Sequence, residues 1–349
     1  MKVAVYTIAK NEAKFVPRWY ESAKDADYIL IADTGSTDDT VRHAKWLDIN
    51  VINIEVNPWR FDVARNAALD ALPDDIDYCI ALDMDEILVP GWREQLEQVP
   101  AGTTRPRYQY VWSWKDDGTP GLVYGGDKIH ARHGYRWKHP VHEVLMPQGL
   151  EVQHWVDLQI HHHPDHAKSR GQYFPLLKLA VEEDPDDDRN AFYYARELFF
   201  HNHRDEAIAQ FKRHLSLPRA TWRPERAASM RYLAKLETDE RETWLLRAVT
   251  EAPDRREAAI ELADFYHLQQ RWAECYAFAT RALAITDKPL EYLCEEFAWG
   301  YLPHDLAALS AHFLGLRDKA VIHGRLAMDL NPDDERLRTN LNFYERRDA

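Results

Sequence analysis

The sequence has little cysteine and no arrangement that would use it. Only Cys79, Cys275 and Cys294 occur in 349 residues, each in an apolar or helical context and without paired spacing. Disulfide frameworks and thiolate zinc sites need matched spacings, so three buried thiols in a reducing, cytoplasmic compartment are expected. Long apolar runs are missing too. No stretch approaches the ~20 apolar residues that a membrane-spanning helix needs. The uncharged run in the opening MKVAVYTIAKNE is too short for the apolar part of a leader peptide, and it reads as a first strand. There is no basic excess: 44 Lys and Arg face 58 Asp and Glu, a net charge of −14. General nucleic-acid binders carry a basic patch and a high pI, so that class is disfavoured, although a local basic groove is not excluded. No GxxxxGK[ST] loop occurs. Nucleotidyl or phosphoryl transfer built on such a loop is therefore not expected.

The bulk composition, 45% hydrophobic and 29% charged, is that of a globular protein long enough for two domains. The two halves carry different periods. Val3–Ala9, Tyr28–Ala32, Val51–Val56 and Tyr78–Leu82 are short and rich in Val, Ile and Tyr. Between them lie predicted helices at Pro17–Lys24, Thr37–Leu47 and Phe61–Leu72. This alternation implies an α/β domain with a mainly parallel sheet covered on both faces. Right-handed crossovers bring the strand ends to one edge, where ligands of such sheets sit. A hairpin is expected from YQYVWSW (108–114) through KDDGTPG to LVYGG.

Beyond about residue 165 the pattern turns helical. Prolines recur at 185, 218, 253, 289 and 332, with helix pairs such as 256–289 between them. Small residues, Ala263 and Ala282 among them, mark where paired helices approach closely. The boundary expected from these periods gives a first domain at 1–165 and an all-α repeat domain at 166–349.

The strand ends carry the chemistry. KNE (10–12) follows the first strand and DTGSTDDT (33–40) the second. Taken alone, KNE reads as a helix N-terminus capped by Asn11, and Ser36 or Thr37 as caps of the next helix. FDVARN (61–66) puts Arg65 on an otherwise apolar helix face, where it suits either an ion pair or a diphosphate. YCIALDMDEIL (78–88) ends an apolar run in Asp83, Asp85 and Glu86. Asp-x-Asp occurs five times in this acidic chain, but only the triplet at 83 follows an apolar run. If that segment is extended, Asp83 and Asp85 point into one cleft and Met84 points back.

These segments in this order resemble the family 2 glycosyltransferases of the GT-A fold, over about residues 1–165. KSRGQYFPLLKLAVEEDPDDDRN (168–190) and EEFAWGYLPHDLAALSAHFLGL (295–316) resemble a branch in which that domain is fused to C-terminal tetratricopeptide repeats. The resemblance implies a UDP-sugar donor. Its nucleoside would lie against Thr7, Ala9, Asn11 and Glu12, with Asp33 on the uracil or ribose and Arg65 near the nucleotide. Asp83, Met84 and Asp85 form the DxD motif, in which Asp85 binds Mn²⁺ or Mg²⁺ and Asp83 acts on the ribose or through water. Glu143 in KHPVHEVL (138–145) is the expected base, with His142 as the alternative. In IHHHPDH (160–166) alternation along the strand selects His162 as a third metal ligand, with His161 and His163 as alternatives. Trp112, Trp137 and Glu86 are expected at the acceptor. The implied reaction is an inverting, hexosyltransferase-type transfer to a peptide, protein or saccharide. Self-association through the repeats is a further expectation. An inactive adaptor that binds a protein partner, and an enzyme acting on modified phage DNA, are the competing readings.

Overall fold

A computed structural model describes residues 1–165, 171 and 173–346. The segment 168–172, part of the resemblance above, lies outside them except for Gly171, as does His166. The chain divides into two compact units, Met1–Glu183 and Asp184–Ala349. The divide falls later than residue 165, because the helix Tyr173–Glu183 groups with the first unit.

The first unit is built on strands β1 (Val3–Ala9), β2 (Tyr28–Asp33), β3 (Asn50–Asn53) and β4 (Tyr78–Ala81). They pair in parallel in the order β3-β2-β1-β4. Helices α1 (Val16–Ala23), α2 (Thr40–Trp46) and α3 (Phe61–Asp70) form the crossovers. β1, β2 and β4 are largely buried on both faces, as covered parallel strands must be. One face packs on Trp19 of α1 with Ile31 and Ile80, the other on Ala68 and Leu69 of α3 with Tyr6 and Leu30.

A second layer follows. Strand β5 (Glu86–Leu88) leads through α4 (Trp92–Glu97) to β6 (Arg105–Val111) and β7 (Val123–Gly126). β6 and β7 form the antiparallel hairpin expected from the sequence, Tyr108 opposite Gly126. β8 (Ile129–Ala131) returns to β4 as an antiparallel edge. β9 (Tyr135–Lys138) and β10 (Val144–Pro147) form a separate hairpin. β11 (Gln153–His162) runs parallel to β6 and antiparallel to β5, with His162 opposite Glu86 and His161 opposite Ile87. That register carries the histidine run to the acids after β4. The unit ends in α5 (Tyr173–Glu183).

The second unit is all helical. Four antiparallel pairs follow one another: α6 (Asp188–Phe200) with α7 (Arg204–Ser216), α8 (Arg223–Leu236) with α9 (Arg241–Glu251), α10 (Glu257–Leu268) with α11 (Trp272–Leu283), and α12 (Leu302–Phe313) with α13 (Arg317–Leu330). A last helix, α14 (Glu335–Glu345), packs on α13. The recurring prolines fall in the connections, Pro218, Pro253, Pro289 and Pro332 between pairs and Pro185 just before α6. Proline cannot continue a helix and its missing N–H is harmless there. Ala263 and Ala282 are fully buried where α10 meets α11. This is the tetratricopeptide-like stack expected from the period of the sequence.

Candidate active site

The first two strand ends are tied together by Asn11. Its backbone is left-handed (φ 56°), which asparagine tolerates. Its side-chain Oδ1 accepts from the N–H groups of Thr37 (2.7 Å) and Asp38 (3.3 Å). Its own N–H donates to Ser36 Oγ at 2.9 Å, and the Glu12 N–H donates to Thr40 Oγ1 at 2.7 Å. Asn11 therefore does not cap α1, which begins at Val16. It holds the neighbouring loop, and drawing Thr37 and Asp38 into that contact delays α2 to Thr40. Asp33, at the end of β2, accepts from the Gly35 and Ser36 N–H groups at 3.1 and 3.0 Å. Gly35 sits at φ 96°, a conformation that side chains rarely adopt, and this lets the turn fold back onto Asp33. Thr7 and Ala9 are buried in β1.

The end of β4 is a turn. The Trp19 Nε1–H donates to the Leu82 carbonyl at 3.1 Å, and the Leu82 N–H donates to the Tyr6 carbonyl at 3.0 Å. Together they anchor the chain just before the acids. The Glu86 N–H then donates to the Asp83 carbonyl at 2.9 Å, closing a four-residue turn. The segment is thus not extended, and strand alternation does not decide where Asp83 and Asp85 point. Met84 is buried in the core, as expected.

Within this turn the three acids have different partners. Asp83 accepts from Arg65 on one oxygen (2.7 Å) and from Lys128 on the other (2.6 Å). Burial alone would raise its pKa, but the two cations outweigh burial and hold the carboxyl well below the usual carboxylate range. Glu86 is 1% exposed. It accepts from the Tyr110 hydroxyl (2.5 Å), Lys128 (2.8 Å) and the Asp83 N–H (2.8 Å). Burial and neighbouring Asp83 push its pKa up against the pull of Lys128. Buried and enclosed by protein donors, Glu86 braces the turn and has no face toward an acceptor. Asp85 is different: among the described residues it has no Lys or Arg partner, and its Oδ2 faces His162 Nε2 at 3.5 Å.

His162 is held by its other nitrogen. Nδ1 lies 2.9 Å from the Trp112 carbonyl. A carbonyl only accepts, so Nδ1 carries a proton, and Nε2 is the nitrogen that faces Asp85. Trp112 also stacks on the imidazole at 4.3 Å, with the ring planes 17° apart. Burial would lower the His162 pKa, but Asp85 and the carbonyl overcome it and raise the value. His162 is buried on the same face of β11 as Leu158 and Ile160, as alternation predicts. His161 pairs instead with Gln159 at 3.1 Å, and His163 stacks on Trp114 at 5.5 Å. The His163 N–H donates to the Asp85 carbonyl at 2.7 Å. Beside it lies an open cleft of about 490 Å³, lined by Lys14, Phe15, Arg18, Trp114, His163, Pro164 and Asp165.

Glu143 reaches the same cluster from the β9–β10 loop. Asn66 of α3 clamps Trp137 through both of its backbone groups, accepting at 3.0 Å and donating at 2.9 Å. The Phe61 N–H donates to the Pro140 carbonyl at 3.0 Å. These contacts lay the loop over α3, where Arg65 Nε donates to Glu143 Oε1. Arg65 thus bridges Glu143 and Asp83, and its guanidinium lies 4.9 Å from the Trp137 ring. Trp137 is 5% exposed and donates to the Tyr6 hydroxyl at 2.9 Å. It backs Arg65 and offers no open ring face to an acceptor. Trp112 is 36% exposed. The His142 ring packs edge-on against Tyr173.

The sequence reading missed Lys128 and Tyr110. Nothing local marks Lys128, in GGDKI; only the pairing of β8 with β4 brings it to Asp83.

Glycosyl transferase family 2 is the family model that matches, over residues 4–99. That span contains Asp33, Arg65 and the Asp83–Glu86 turn. A curated relative described as an uncharacterized glycosyltransferase, from Rickettsia felis, is 32% identical over 108 residues, 31% of this chain and 37% of the relative. One from Rickettsia typhi is likewise 32% identical over 108 residues, 31% and 36% of the two chains. The chain thus matches little more than a third of the length of these relatives. Among solved structures, S. aureus TarS is similar over 73% of this chain and 56% of its own, at 12% identity and a TM-score of 0.42. The family 2 match ends before β6. His162, Lys128 and Glu143 therefore lie outside it and rest on geometry alone.

Proposed function

We propose that the protein is an inverting, metal-dependent glycosyltransferase that uses a UDP-sugar. The observation that carries this reading is the Asp85–His162 pair, set beside an Asp83 already neutralised by Arg65 and Lys128. Among the described residues no three His, Cys, Asp or Glu side chains form a complete metal cage. One carboxylate and one imidazole are an incomplete set, which suits a hard cation that takes its remaining ligands from substrate phosphates. An imidazole among oxygen ligands fits Mn²⁺ better than Mg²⁺. Such an ion, held by Asp85 and His162, would supply charge stabilisation for a departing diphosphate.

The chain's own residues do the rest. Asn11 and Asp33 shape the wall where the nucleoside lies, with Asp33 directed to the uracil or ribose and Thr7, Ala9 and Glu12 backing it. Asp83, fixed by two cations, is set to accept from the ribose. Glu143, fixed by Arg65 on one oxygen, takes the proton of the acceptor nucleophile, with His142 as the second candidate. The nucleophile attacks the anomeric carbon from the face opposite the diphosphate. The new glycosidic bond forms as the bond to the diphosphate breaks, and the pair of electrons leaves on UDP. Trp112, half open at the rim, is placed to meet the acceptor. The acceptor class proposed is an extended peptide, protein or saccharide chain, with the helical unit as its carrier.

The testing experiment is UDP release from a panel of UDP-sugars, with and without Mn²⁺. Mn²⁺-dependent release from one or a few donors supports the reading. No release from any donor, with retained binding of a protein partner, supports an adaptor instead.

A further inference from the structure

The turn that carries the acids is met by Lys128, a cation from another part of the chain. Lys128 lies in the connection between β7 and β8. Ile129 pairs with Ile80, and the Ala81 N–H donates to the Lys128 carbonyl at 3.0 Å. Its backbone is therefore fixed beside the strand end that bears Asp83. Its Nζ lies 2.6 Å from Asp83 Oδ2 and 2.8 Å from Glu86 Oε1, with the Tyr110 ring centre 5.9 Å away. Arg65 occupies the other Asp83 oxygen. Burial disfavours an ammonium ion here, but Asp83 and Glu86 outweigh burial and keep Lys128 charged. Three carboxylates lie within four residues, and among the described residues only Asp85 has neither a lysine nor an arginine on it.

We propose that Lys128 is a positioning residue that acts as a built-in counter-cation: together with Arg65 it occupies Asp83 and Glu86, and so confines an incoming divalent cation to Asp85 and His162. This rests on the reading of Asp85 and His162 as the cation pair, and not on sugar transfer itself.

The consequence is a specificity. Hard divalent cations gain affinity with each carboxylate they can reach. With Lys128 in place the protein alone holds such an ion weakly, through two ligands, and leaves its other positions for phosphate oxygens. Without Lys128, Asp83 Oδ2 and Glu86 Oε1 lose their lysine, and a fixed positive charge beside the site is gone. Both changes favour tighter binding of the ion in the absence of nucleotide.

The test is a titration of the full-length protein with Mn²⁺ alone, without nucleotide or sugar, followed by the electron paramagnetic resonance signal of free Mn²⁺. Lys128→Gln keeps a hydrogen-bonding side chain, one bond shorter, but removes the charge. It is expected to bind Mn²⁺ about ten-fold tighter than the wild type, or more. Lys128→Arg, which keeps the charge, is expected to match the wild type. Adding Glu86→Gln to Lys128→Gln removes one charge of each sign and should return the affinity toward the wild-type value. A lysine that only supports the fold predicts the opposite sign, with looser Mn²⁺ binding in Lys128→Gln. Folded Lys128→Gln protein that binds Mn²⁺ no tighter than the wild type overturns the proposal, and so does tightening in Lys128→Arg. Failure of every donor to release UDP would overturn the proposed function and leave this titration to decide the role of Lys128.

Discussion

Arg65 is the residue on which most of the site converges. It is buried, it joins Asp83 to Glu143, and it stacks on Trp137. Removing one partner of a buried ion pair leaves uncompensated charge, which costs about 3 kcal/mol or more. Arg65→Met is therefore expected to lower the unfolding free energy by about that amount in urea denaturation, where an exposed arginine would change little. Arg65→Lys keeps the charge but cannot span both carboxylates with one planar group. It should retain most of the stability and lose most of the UDP release. Equal losses in the two variants would mean that Arg65 serves the fold alone. Asp85 should behave in the reverse way. Its carboxylate is 26% exposed and has no permanent cation on it among the described residues. Asp85→Ala should leave the urea midpoint nearly unchanged.

At the scale of elements, the loops beyond β1 and β2 act as one piece because Asn11 connects them. Asn11→Ala removes the acceptor for two backbone N–H groups and is expected to destabilise the protein by about 1 kcal/mol. Gly35→Ala has free space for its methyl group, so its penalty is the left-handed backbone, also about 1 kcal/mol. Both changes loosen the wall assigned to the nucleoside. They should raise KM for the donor more than they lower kcat, and a fall in kcat alone would place these loops elsewhere in the reaction. The same elements show what could be read beforehand. The strands, crossover helices and helix pairs follow from apolar period and proline placement, which are local properties. His162 followed from alternation along a strand. The Asp83–Glu86 turn did not, because a hydrogen bond between Glu86 N–H and the Asp83 carbonyl overrides the strand pattern. Lys128 and the burial of Glu86 and Trp137 were also out of reach, because each depends on which distant strand pairs with which.

At the scale of the whole molecule, the three cysteines report on the two units. Burial pushes the Cys79 thiol up to about 12 and the Cys275 and Cys294 thiols up to about 11. The thiolate is the reactive form, so all three should resist alkylation at pH 8 until the chain opens. Raised thiol values also set a sign. Their contribution to stability is full below the unfolded value of about 8.5 and is lost as pH rises from there toward 11 and 12. In a urea series at pH 8, mass spectrometry should show Cys79 labelled on one transition and Cys275 with Cys294 on another if the units unfold separately. Labelling of Cys79 in native buffer would contradict the packing of β4.

The claim that joins these scales is that the acids after β4 serve a cation through Asp85, and that this cation serves a departing diphosphate. The most direct measurement is UDP release from the preferred UDP-sugar at saturating Mn²⁺, in wild-type and Asp85→Ala protein of matched urea midpoint. The account predicts Mn²⁺-dependent release in the wild type and a loss of about a hundred-fold or more in the variant. Release that survives chelation of the metal, or that is equal in the two proteins, would contradict it.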